Sequence, residues 1–269
     1  MPKLGGFGRA GDAGSLGHYE APSYYWKSYA RRKHDVAYYA ALAKQAGSVL
    51  EYGIGNGRVA LPLARAGVEV TGIDLSRPML KDLQARLLGE SRAVQGRVHA
   101  VRGDMRRVRL GARFPLVIAP FNALLHLYSR REMEAFLARV HEHLAPGAEF
   151  VFDVLLPHPG DLARDPARTF SGAPLKHPET GERIKYRERF EYDGVRQLLV
   201  VTAEFSMGKM EWRVPLTQRQ YFPAELEALL AYNGFAEVRM LPDFGASRAN
   251  GDIDSLVFHC RAAARRRRP

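Results

Sequence analysis

Apolar runs and amphipathic segments alternate along the first 155 residues of the chain. The apolar runs predict strands at residues 48–52, 68–74, 97–104, 114–120 and 148–155. Between these runs apolar residues recur at helical spacing, as in residues 77–88. Alternating strands and helices predict an α/β fold, in which a mostly parallel sheet carries helices on both faces. The continuously apolar run at 114–120 fits this fold, because strands of such sheets are covered on both sides.

The pattern changes after Pro157. Residues 157–181 are rich in proline, glycine and charge, and residues 182–221 alternate between apolar and polar positions. Within them Asp193-Gly194 separates two alternating runs, which is a strong signal for a β-hairpin. We therefore predict an inserted antiparallel β-meander, followed by one helix and two final strands that complete a seven-stranded sheet.

This organisation divides the chain into four parts. Residues 1–18 have no apolar signal region and are expected to form a flexible leader. Residues 19–156 and 222–260 form the α/β domain, and residues 157–221 form the inserted β subdomain. Residues 261–269 contain five arginines and are expected to be a disordered basic tail.

Composition restricts the classes of protein that remain. The net charge is +11, and Cys260 is the single cysteine in the sequence. One cysteine excludes intrachain disulfides and clusters of several thiolates, so a cytoplasmic location is expected. No run of 18 apolar residues predicts a membrane span. The basic tail suits a polyanion such as a nucleic acid, but a solvated tail or an arginine-rich proteome is the preferred explanation.

Three glycines follow the first predicted strand in "LEYGIGNGR": Gly53, Gly55 and Gly57. A tight turn from strand to helix lies at the carboxyl edge of the sheet, where open α/β sheets bind ligands. Glycine permits left-handed backbone angles and lets a ligand approach backbone amides. The third glycine of a dinucleotide motif is missing, because Arg58 stands in its place, and the Gly-Lys-Ser/Thr of a phosphate loop is absent. The turn therefore predicts a platform for another ligand.

Four segments, each at the end of a predicted strand, resemble the motifs of class I S-adenosylmethionine-dependent methyltransferases: "LEYGIGNGR", "VTGIDLSRPML", "VRGDMR" and "VIAPFNALLHL". The resemblance covers about residues 24–156. The meander resembles the small β subdomain that covers the acceptor in glycine and aminosugar N-methyltransferases. The resemblance implies a Rossmann-like fold, S-adenosyl-L-methionine as the cofactor, and an enzyme that transfers its methyl group.

The resemblance also implies contacts to the nucleoside part of the cofactor. Asp74 is expected to bind the ribose hydroxyls. Asp104 and the Met105 amide are expected to bind adenine, with Leu75 and Met79 as apolar walls. The alternatives are a charge at a helix start for Asp74, a turn cap for Asp104 and ordinary core packing for Leu75 and Met79.

The resemblance implies that the glycine-rich turn and its neighbours bind the methionyl end of the cofactor. Glu51 ends a buried strand and needs partners, because a buried unpaired carboxylate is costly. The resemblance implies that these partners are the methionine ammonium and backbone amides, while the three glycines cradle the arm. Carbonyl groups near Pro120 and Phe121 are expected to receive the ammonium.

The segment "YYWKSYARRKHD" combines aromatic and basic residues and resembles a lid over the cofactor. Tyr25 and Arg32 are the candidates for contacting the methionine carboxylate, with Tyr24 and His34 as alternatives. Simple packing of this segment on a helix is the competing interpretation.

Candidates for the chemistry itself are fewer. His126, beyond the fourth strand, is expected to be a base, a group that orients the acceptor, or a structural histidine. Asn122 is expected to contact the methionyl end or the acceptor. His141 and His143 are expected on a helix surface, and no spacing predicts a metal.

We expect a small-molecule acceptor that is methylated at nitrogen or oxygen by a monomer or homodimer. An RNA or protein methyltransferase that uses the basic tail is one alternative. A cofactor-binding protein without transfer activity is the other.

Overall fold

A computed structural model of the chain describes residues 17–29, 32–176, 180–246 and 253–263. Most of the predicted leader and of the predicted basic tail lies outside these residues. The helices are α1 (Pro22–Tyr29), α2 (His34–Ala46), α3 (Ala60–Arg65), α4 (Arg77–Leu88), α5 (Arg92–Gly96), α6 (Arg130–His143), α7 (Pro159–Leu162) and α8 (Pro223–Tyr232), with 3₁₀ turns at Ala123–His126 and Asp243–Gly245. The strands are β1 (Ser48–Tyr52), β2 (Glu69–Asp74), β3 (Val98–Arg102), β4 (Phe114–Ala119), β5 (Leu144–Leu155), β6 (Phe170–Ser171), β7 (Leu175–Lys176), β8 (Arg183–Asp193), β9 (Leu198–Met207), β10 (Met210–Arg219), β11 (Phe235–Pro242) and β12 (Ser255–Ala262).

The main sheet has seven strands in the order β11-β12-β5-β4-β1-β2-β3. Strands β1 to β5 pair in parallel, and β12 runs antiparallel to both of its neighbours. The order reverses at β1, so the carboxyl ends of β1 and β4 flank the crevice where such sheets bind ligands. This topology confirms the predicted fold class.

Each face of the main sheet is covered by one hydrophobic cluster. On one face Phe136 of α6 packs with Phe150 of β5 and Leu226 of α8. On the other face Tyr39 of α2 packs with Leu63 of α3. Burial on both faces explains why β4 is apolar at nearly every position.

The second sheet is antiparallel, in the order β10-β9-β8-β6. Tyr186, Phe205 and Trp212 stand side by side on β8, β9 and β10, and form an aromatic ladder on one face. The far end of β10 lies against the main domain, where the Tyr128 hydroxyl donates to the Thr217 carbonyl oxygen at 3.1 Å. The insertion is thus joined to the carboxyl edge of the main sheet.

Strand β12 extends two residues into the predicted tail. Arg261 donates to Glu149 at 2.9 Å and to Glu237 at 3.1 Å, so pairing with β5 and β11 orders this position. None of the helices in the described ranges is both long and apolar enough to cross a bilayer.

Candidate active site

A cavity of about 310 Å³ opens at the carboxyl ends of β1, β2 and β4. Most of the predicted site residues line it. The exceptions are Arg32, Gly57 and Asn122, while Tyr19, Asn56, Arg58, Arg106 and Tyr128 line it without having been predicted. The cavity runs from the glycine-rich turn to the 3₁₀ turn that ends at His126.

The glycine-rich turn needs glycine for two different reasons. Gly53 and Gly55 have φ of 76° and 53° and line the cavity, so any other residue there would put backbone strain into the cavity wall. Gly57 has φ of 81° but faces the protein interior. A Cβ atom at Gly57 would lie 2.5 Å from Leu83 Cδ1 and 3.0 Å from Leu61 Cγ. The predicted ligand contact of Gly57 is therefore replaced by close packing of the turn on α3 and α4.

Asp74 ends β2 with its carboxylate fixed by two backbone amides. The Gly55 N–H donates to Oδ2 and the Ser76 N–H donates to Oδ1, both at 2.7 Å. Burial raises the pKa of Asp74, and these two hydrogen bonds oppose the rise. A carboxylate has about four acceptor positions, so both oxygens retain capacity toward the cavity. Such a pair of fixed acceptors suits a vicinal diol.

Asp104 follows β3 and already has a strong partner. Arg106 Nε donates to Asp104 Oδ1 at 2.9 Å and Arg106 Nη2 donates to Oδ2 at 2.8 Å. Burial raises the pKa of Asp104, but the hydrogen bonds and charge of Arg106 outweigh it, and the net pKa is lowered. Arg106 also pairs with Glu132 at the start of α6. A ligand amine at Asp104 must share this carboxylate with Arg106.

Apolar side chains complete the slot between Asp74 and Asp104. Met79, in the first turn of α4, is 2% exposed and lines the cavity. The Ser76 hydroxyl accepts the Met79 N–H at 3.3 Å, which fixes the start of this helix. Leu75 is 47% exposed at the rim, and Met105 lines the cavity beside it.

Two buried oxygens at the other side of the cavity have no hydrogen-bond partner among the described residues. These are Glu51 Oε2 and Asn56 Oδ1. Burial raises the pKa of Glu51 well above its usual value; nearby Arg58 opposes the rise and Asp74 adds to it. Buried polar atoms are almost always satisfied in native proteins, so two unpaired acceptors in a cavity wall indicate a ligand with a donor group.

The N-terminal segment places Tyr25 over the cavity. Its ring lies 4.9 Å from the ring of Tyr29 and 6.2 Å from that of Phe121. Arg32 does not reach the cavity wall: its Nε is 3.4 Å from Asp35 Oδ2, and its guanidinium stands 5.1 Å from the Phe121 ring. Arg58 lines the cavity instead. In the sequence Arg58 is a basic residue directly after the glycine-rich turn. There it indicates only that the third glycine of a dinucleotide motif is missing.

The loop after β4 turns sharply at Phe121 and Asn122, with φ of 57° and 65°. Asp153 Oδ1 accepts the Phe121 N–H at 2.8 Å, and Asn122 Oδ1 accepts the Leu155 N–H at 2.7 Å. The Asn122 side chain thus stabilises the end of β5 and does not line the cavity. Pro120 and Phe121 do line the cavity.

His126 is half-buried at the far end of the cavity, beside Tyr19. The Tyr19 hydroxyl lies 2.8 Å from His126 Nε2. Burial and then the charge of His18 lower the pKa of His126 to about 4, so the ring is neutral at neutral pH. Tyr19 is 107 residues from His126, and no local pattern marked it.

The prediction that His143 lies on a helix surface is wrong. Its ring is fully buried, 2.7 Å from the Tyr52 hydroxyl, and Nε2 accepts the Leu110 N–H at 3.1 Å. The histidine satisfies polar groups inside the core. Within the described ranges, no three histidine, cysteine or acidic side chains are grouped to hold a metal.

Comparison with known proteins agrees with this geometry. Residues 49–147 match the family model described as a methyltransferase domain. The cypemycin N-terminal methyltransferase of Streptomyces sp. is 31% identical over 122 residues, which are 45% of this chain and 47% of that protein. The Streptomyces venezuelae dTDP-3-amino-3,4,6-trideoxy-α-D-glucopyranose N,N-dimethyltransferase is 30% identical over 128 residues, 47% of this chain and 51% of that protein. The chain thus spans about half the length of the curated relatives it matches.

Structural similarity extends further along the chain. The CcbJ methyltransferase from Streptomyces caelestis superposes with a TM-score of 0.71 at 29% identity, over 86% of this chain and 90% of that chain. Solved structures of the same fold contain bound S-adenosylmethionine. The predicted fold, enzyme class and cofactor are confirmed by these matches. Residues 49–147 therefore carry a methyltransferase domain, and the chain resembles the class I S-adenosylmethionine-dependent methyltransferases in fold and in the motifs at its strand ends.

Proposed function

We propose that the chain transfers a methyl group from S-adenosylmethionine to the nitrogen of a small-molecule amine by in-line displacement. The observation that carries the proposal is a single cavity with two chemically different ends. One end presents carboxylates and unpaired acceptors from the glycine-rich turn and β2. The other end presents aromatic rings and the neutral His126.

The residues of the first end fit the cofactor. Asp74 offers two fixed acceptors for a ribose diol, and Glu51 and Asn56 offer unpaired acceptors for an α-ammonium group. Tyr25 and Arg58 lie at the same end and suit a carboxylate. When bound, S-adenosylmethionine would supply a methyl group already activated on a sulfonium. The protein then has to bind, align and exclude water.

The second end suits an uncharged amine. Tyr19 and Tyr128 line it beside His126, and an apolar environment favours the neutral form of an amine, whose lone pair forms the new N–C bond. A pKa of about 4 makes the His126 imidazole a weak base at neutral pH. We therefore assign His126 to orienting the acceptor together with Tyr19. Alignment of the reacting atoms contributes roughly 7–11 kcal/mol in well-oriented systems, so a strong base is not required.

The acceptor class rests on fold and on relatives. The named aminosugar dimethyltransferase acts on nitrogen, but its match covers about half of this chain, and the acceptor therefore stays a proposal. The contact of β10 with Tyr128, just after the 3₁₀ turn and in the cavity wall, supports a small acceptor. The RNA or protein alternative depends on the basic tail, whose residues 264–269 lie outside the described residues.

The test supplies methyl-labelled S-adenosylmethionine with a small-molecule ultrafiltrate from the source organism. A parallel ultrafiltrate is first treated with N-acetoxysuccinimide, which blocks amines selectively. We expect label in a metabolite of the untreated sample and its loss after blocking. Label that persists after blocking would assign the methyl group to oxygen, and label only in the retained macromolecular fraction would reject a small acceptor.

A further inference from the structure

The loop after β4 links the two ends of the cavity, and three hydrogen bonds tie it to the end of β5. The Phe121 N–H donates to Asp153 Oδ1 at 2.8 Å, and the Asn122 N–H donates to the Asp153 carbonyl oxygen at 3.3 Å. Asn122 Oδ1 accepts the Leu155 N–H at 2.7 Å. Two of these three bonds depend on Asp153, which does not itself line the cavity.

The backbone of this loop is strained and needs such contacts. Phe121 and Asn122 are consecutive residues with φ of 57° and 65°. Asparagine tolerates the left-handed region, whereas a bulky aromatic residue is rare there. Strained backbone persists only where the surrounding structure holds it, and it is concentrated at functional sites. The hydrogen bond between the Phe121 amide and the Asp153 carboxylate is one of the contacts that hold it.

The loop determines where both ends of the cavity lie. On its N-terminal side Pro120 and Phe121 form part of the cavity wall, and the Phe121 ring centre is 4.5 Å from the guanidinium carbon of Arg58. On its C-terminal side the Leu125 N–H donates to the Asn122 carbonyl oxygen at 2.9 Å, within the 3₁₀ turn that leads to the second end. A displacement of the loop would therefore change the distance between the two ends.

Asp153 is buried at a cost to the folded chain. Its side chain is fully buried, Oδ1 also accepts the Tyr39 hydroxyl of α2 at 2.7 Å, and Oδ2 has no hydrogen-bond partner among the described residues. Burial raises the pKa of Asp153 to about 6; the hydrogen bonds from Tyr39 and Phe121 oppose the rise, nearby Asp35 adds to it and Arg32 opposes it. A raised pKa means that the charged form destabilises the folded chain at neutral pH. Global stability therefore does not explain a carboxylate at this position.

We propose that Asp153 is a positioning residue of the methyl transfer: its carboxylate holds the strained turn at Phe121 and so fixes the first end of the cavity relative to His126. This inference rests on the proposed function, which assigns the two ends. A charge-assisted hydrogen bond is roughly twice as strong as a neutral one, so the carboxylate holds the turn more firmly than a carboxylic acid or an amide does. Protonation of the free Oδ2 therefore loosens the turn.

Calorimetry with S-adenosylhomocysteine tests the inference without turnover. Asp153→Asn keeps the shape of the side chain and one acceptor oxygen, but it stays neutral at every pH. We expect it to weaken binding roughly 3- to 10-fold at pH 7.5, the range between a charged and a neutral hydrogen bond. This ratio of dissociation constants should decrease as pH falls through about 6 and reach about 1 below pH 5. Glu51, whose pKa is also raised, contributes to both proteins and cancels in the ratio.

Tyr39→Phe adds a result that a purely structural role of Asp153 would not produce. The hydrogen bond from the Tyr39 hydroxyl favours the carboxylate, so its loss should raise the pKa of Asp153. Tyr39→Phe should therefore lose affinity for S-adenosylhomocysteine at a higher pH than wild type does. This comparison retains the carboxylate, and it tests the inference even where Asp153→Asn does not fold.

Asp243→Asn is the matched control. Asp243 is a buried acid that accepts the Ser255 N–H at 2.9 Å and the Ser255 hydroxyl at 3.0 Å, but it does not line the cavity or contact the loop after β4. Its replacement should lower the free energy of unfolding and leave the affinity for S-adenosylhomocysteine unchanged. An equal loss of affinity in Asp243→Asn and Asp153→Asn would show that Asp153 acts only through the fold, and would overturn the inference.

The remaining outcomes separate this inference from the proposed function. Wild-type affinity in Asp153→Asn at pH 7.5, a ratio of dissociation constants that does not change with pH, or a Tyr39→Phe midpoint at or below that of wild type would each overturn the inference and leave the function intact. A wild-type chain that binds no S-adenosylhomocysteine at any of these pH values would instead reject the proposed function, and the inference with it.

Discussion

The two ends of the cavity differ in how the chain builds them. The first end, proposed to bind the cofactor, is called the cofactor end below, and the second end, beside His126, is called the acceptor end. At the cofactor end, the Gly55 amide and the Asp74 carboxylate that it binds are 19 residues apart. At the acceptor end, Tyr19 meets His126 across 107 residues and Tyr128 meets Thr217 across 89. The first end is built mainly on a local motif of strand, glycine-rich turn, helix and strand. The second exists only when the N-terminal segment, the main sheet and the inserted sheet have packed together.

The ends also differ in their electrostatics. Burial raises the pKa of Glu51 and Asp74 at the cofactor end, where backbone amides and Arg58 support the charged forms. At the acceptor end burial lowers the pKa of His126 and keeps the ring neutral. This difference is what the proposed function requires: charged groups to hold the cofactor and an uncharged surface for the acceptor. Substitutions at each end should therefore change different observables.

The largest effect is expected from Gly57→Ala, which attacks the turn behind the cofactor end. A left-handed residue other than glycine costs roughly 1–2 kcal/mol, and a Cβ atom 2.5 Å from Leu83 adds about 1–3 kcal/mol of overpacking. We expect the free energy of unfolding in urea to fall by about 3 kcal/mol. Gly67→Ala is the control, because Gly67 has φ of 94° with nothing within 4 Å of the added Cβ, and should lose only the backbone part. Equal losses in both variants would contradict the packing role of Gly57.

The contrast explains what could be predicted from the sequence. The turn after β1 and the acid at the end of β2 were identifiable, because their function depends on residues close along the chain. Gly57 shows the limit even there: the motif marks the glycine, but the neighbour that requires it lies on α4. For Arg58 the sequence shows only that a glycine is absent, because its partner Asp35 lies 23 residues earlier and no local pattern links the two.

The acceptor end was harder to predict from the sequence. His126 was a candidate, but its partner Tyr19 lies in a segment with no periodic pattern. Asn122 and His143 are residue types that are common in catalytic sites. In the folded chain, however, Asn122 is hydrogen-bonded to the Leu155 amide and His143 to the Tyr52 hydroxyl, and both partners are distant along the chain. A side chain's chemistry can be read from sequence, whereas its partner is a property of tertiary packing.

The second prediction concerns pH and the acceptor end. His126 has a pKa of about 4 in the folded chain, against about 6.5 when unfolded. Between these values the unfolded chain binds a proton that the folded chain does not, so stability falls as pH decreases. The shift corresponds to about 3 kcal/mol, fully lost below pH 4. We expect wild type to lose about 2–3 kcal/mol more than His126→Asn between pH 7 and pH 4.5.

The titration of Asp153 makes the comparison of wild type with His126→Asn necessary, because the pH dependence of the wild-type free energy of unfolding contains contributions from both groups. Burial raises the pKa of Asp153 to about 6, so the folded chain takes up a proton there first and gains stability on acidification. This contribution has the opposite sign to that of His126 and is shared by wild type and variant. Denaturant unfolding at both pH values isolates the histidine. Identical losses in the two proteins would place His126 in contact with solvent.

The third prediction returns to the cofactor end with a smaller effect. Asp74→Asn removes a charged acceptor and should weaken S-adenosylhomocysteine binding by about 2 kcal/mol, roughly 30-fold in Kd. Glu69→Gln changes an exposed acid at the opposite end of the same strand and should leave Kd unchanged. Calorimetry measures both. An unaltered Kd in Asp74→Asn would remove the diol from this carboxylate.

The smallest effect is expected from Trp212→Leu in the aromatic ladder. The Trp212 and Phe205 rings stack at 5.2 Å, and Phe205 lies 5.2 Å from Tyr186. Loss of one half-buried stacked pair should lower the free energy of unfolding by about 1 kcal/mol, measured in urea. Tyr232→Leu, at a position 90% exposed, serves as the control and should have no measurable effect.

The same variant tests whether the two ends are energetically separate. The ladder stands five residues along β10 from Thr217, about 17 Å of extended strand from the contact that joins the sheet to the cavity. S-adenosylhomocysteine should therefore bind Trp212→Leu with the wild-type Kd. Weaker binding would mean that the inserted sheet also stabilises the cofactor end. The two ends would then be energetically coupled, and the division into a locally built cofactor end and a packed acceptor end would fail.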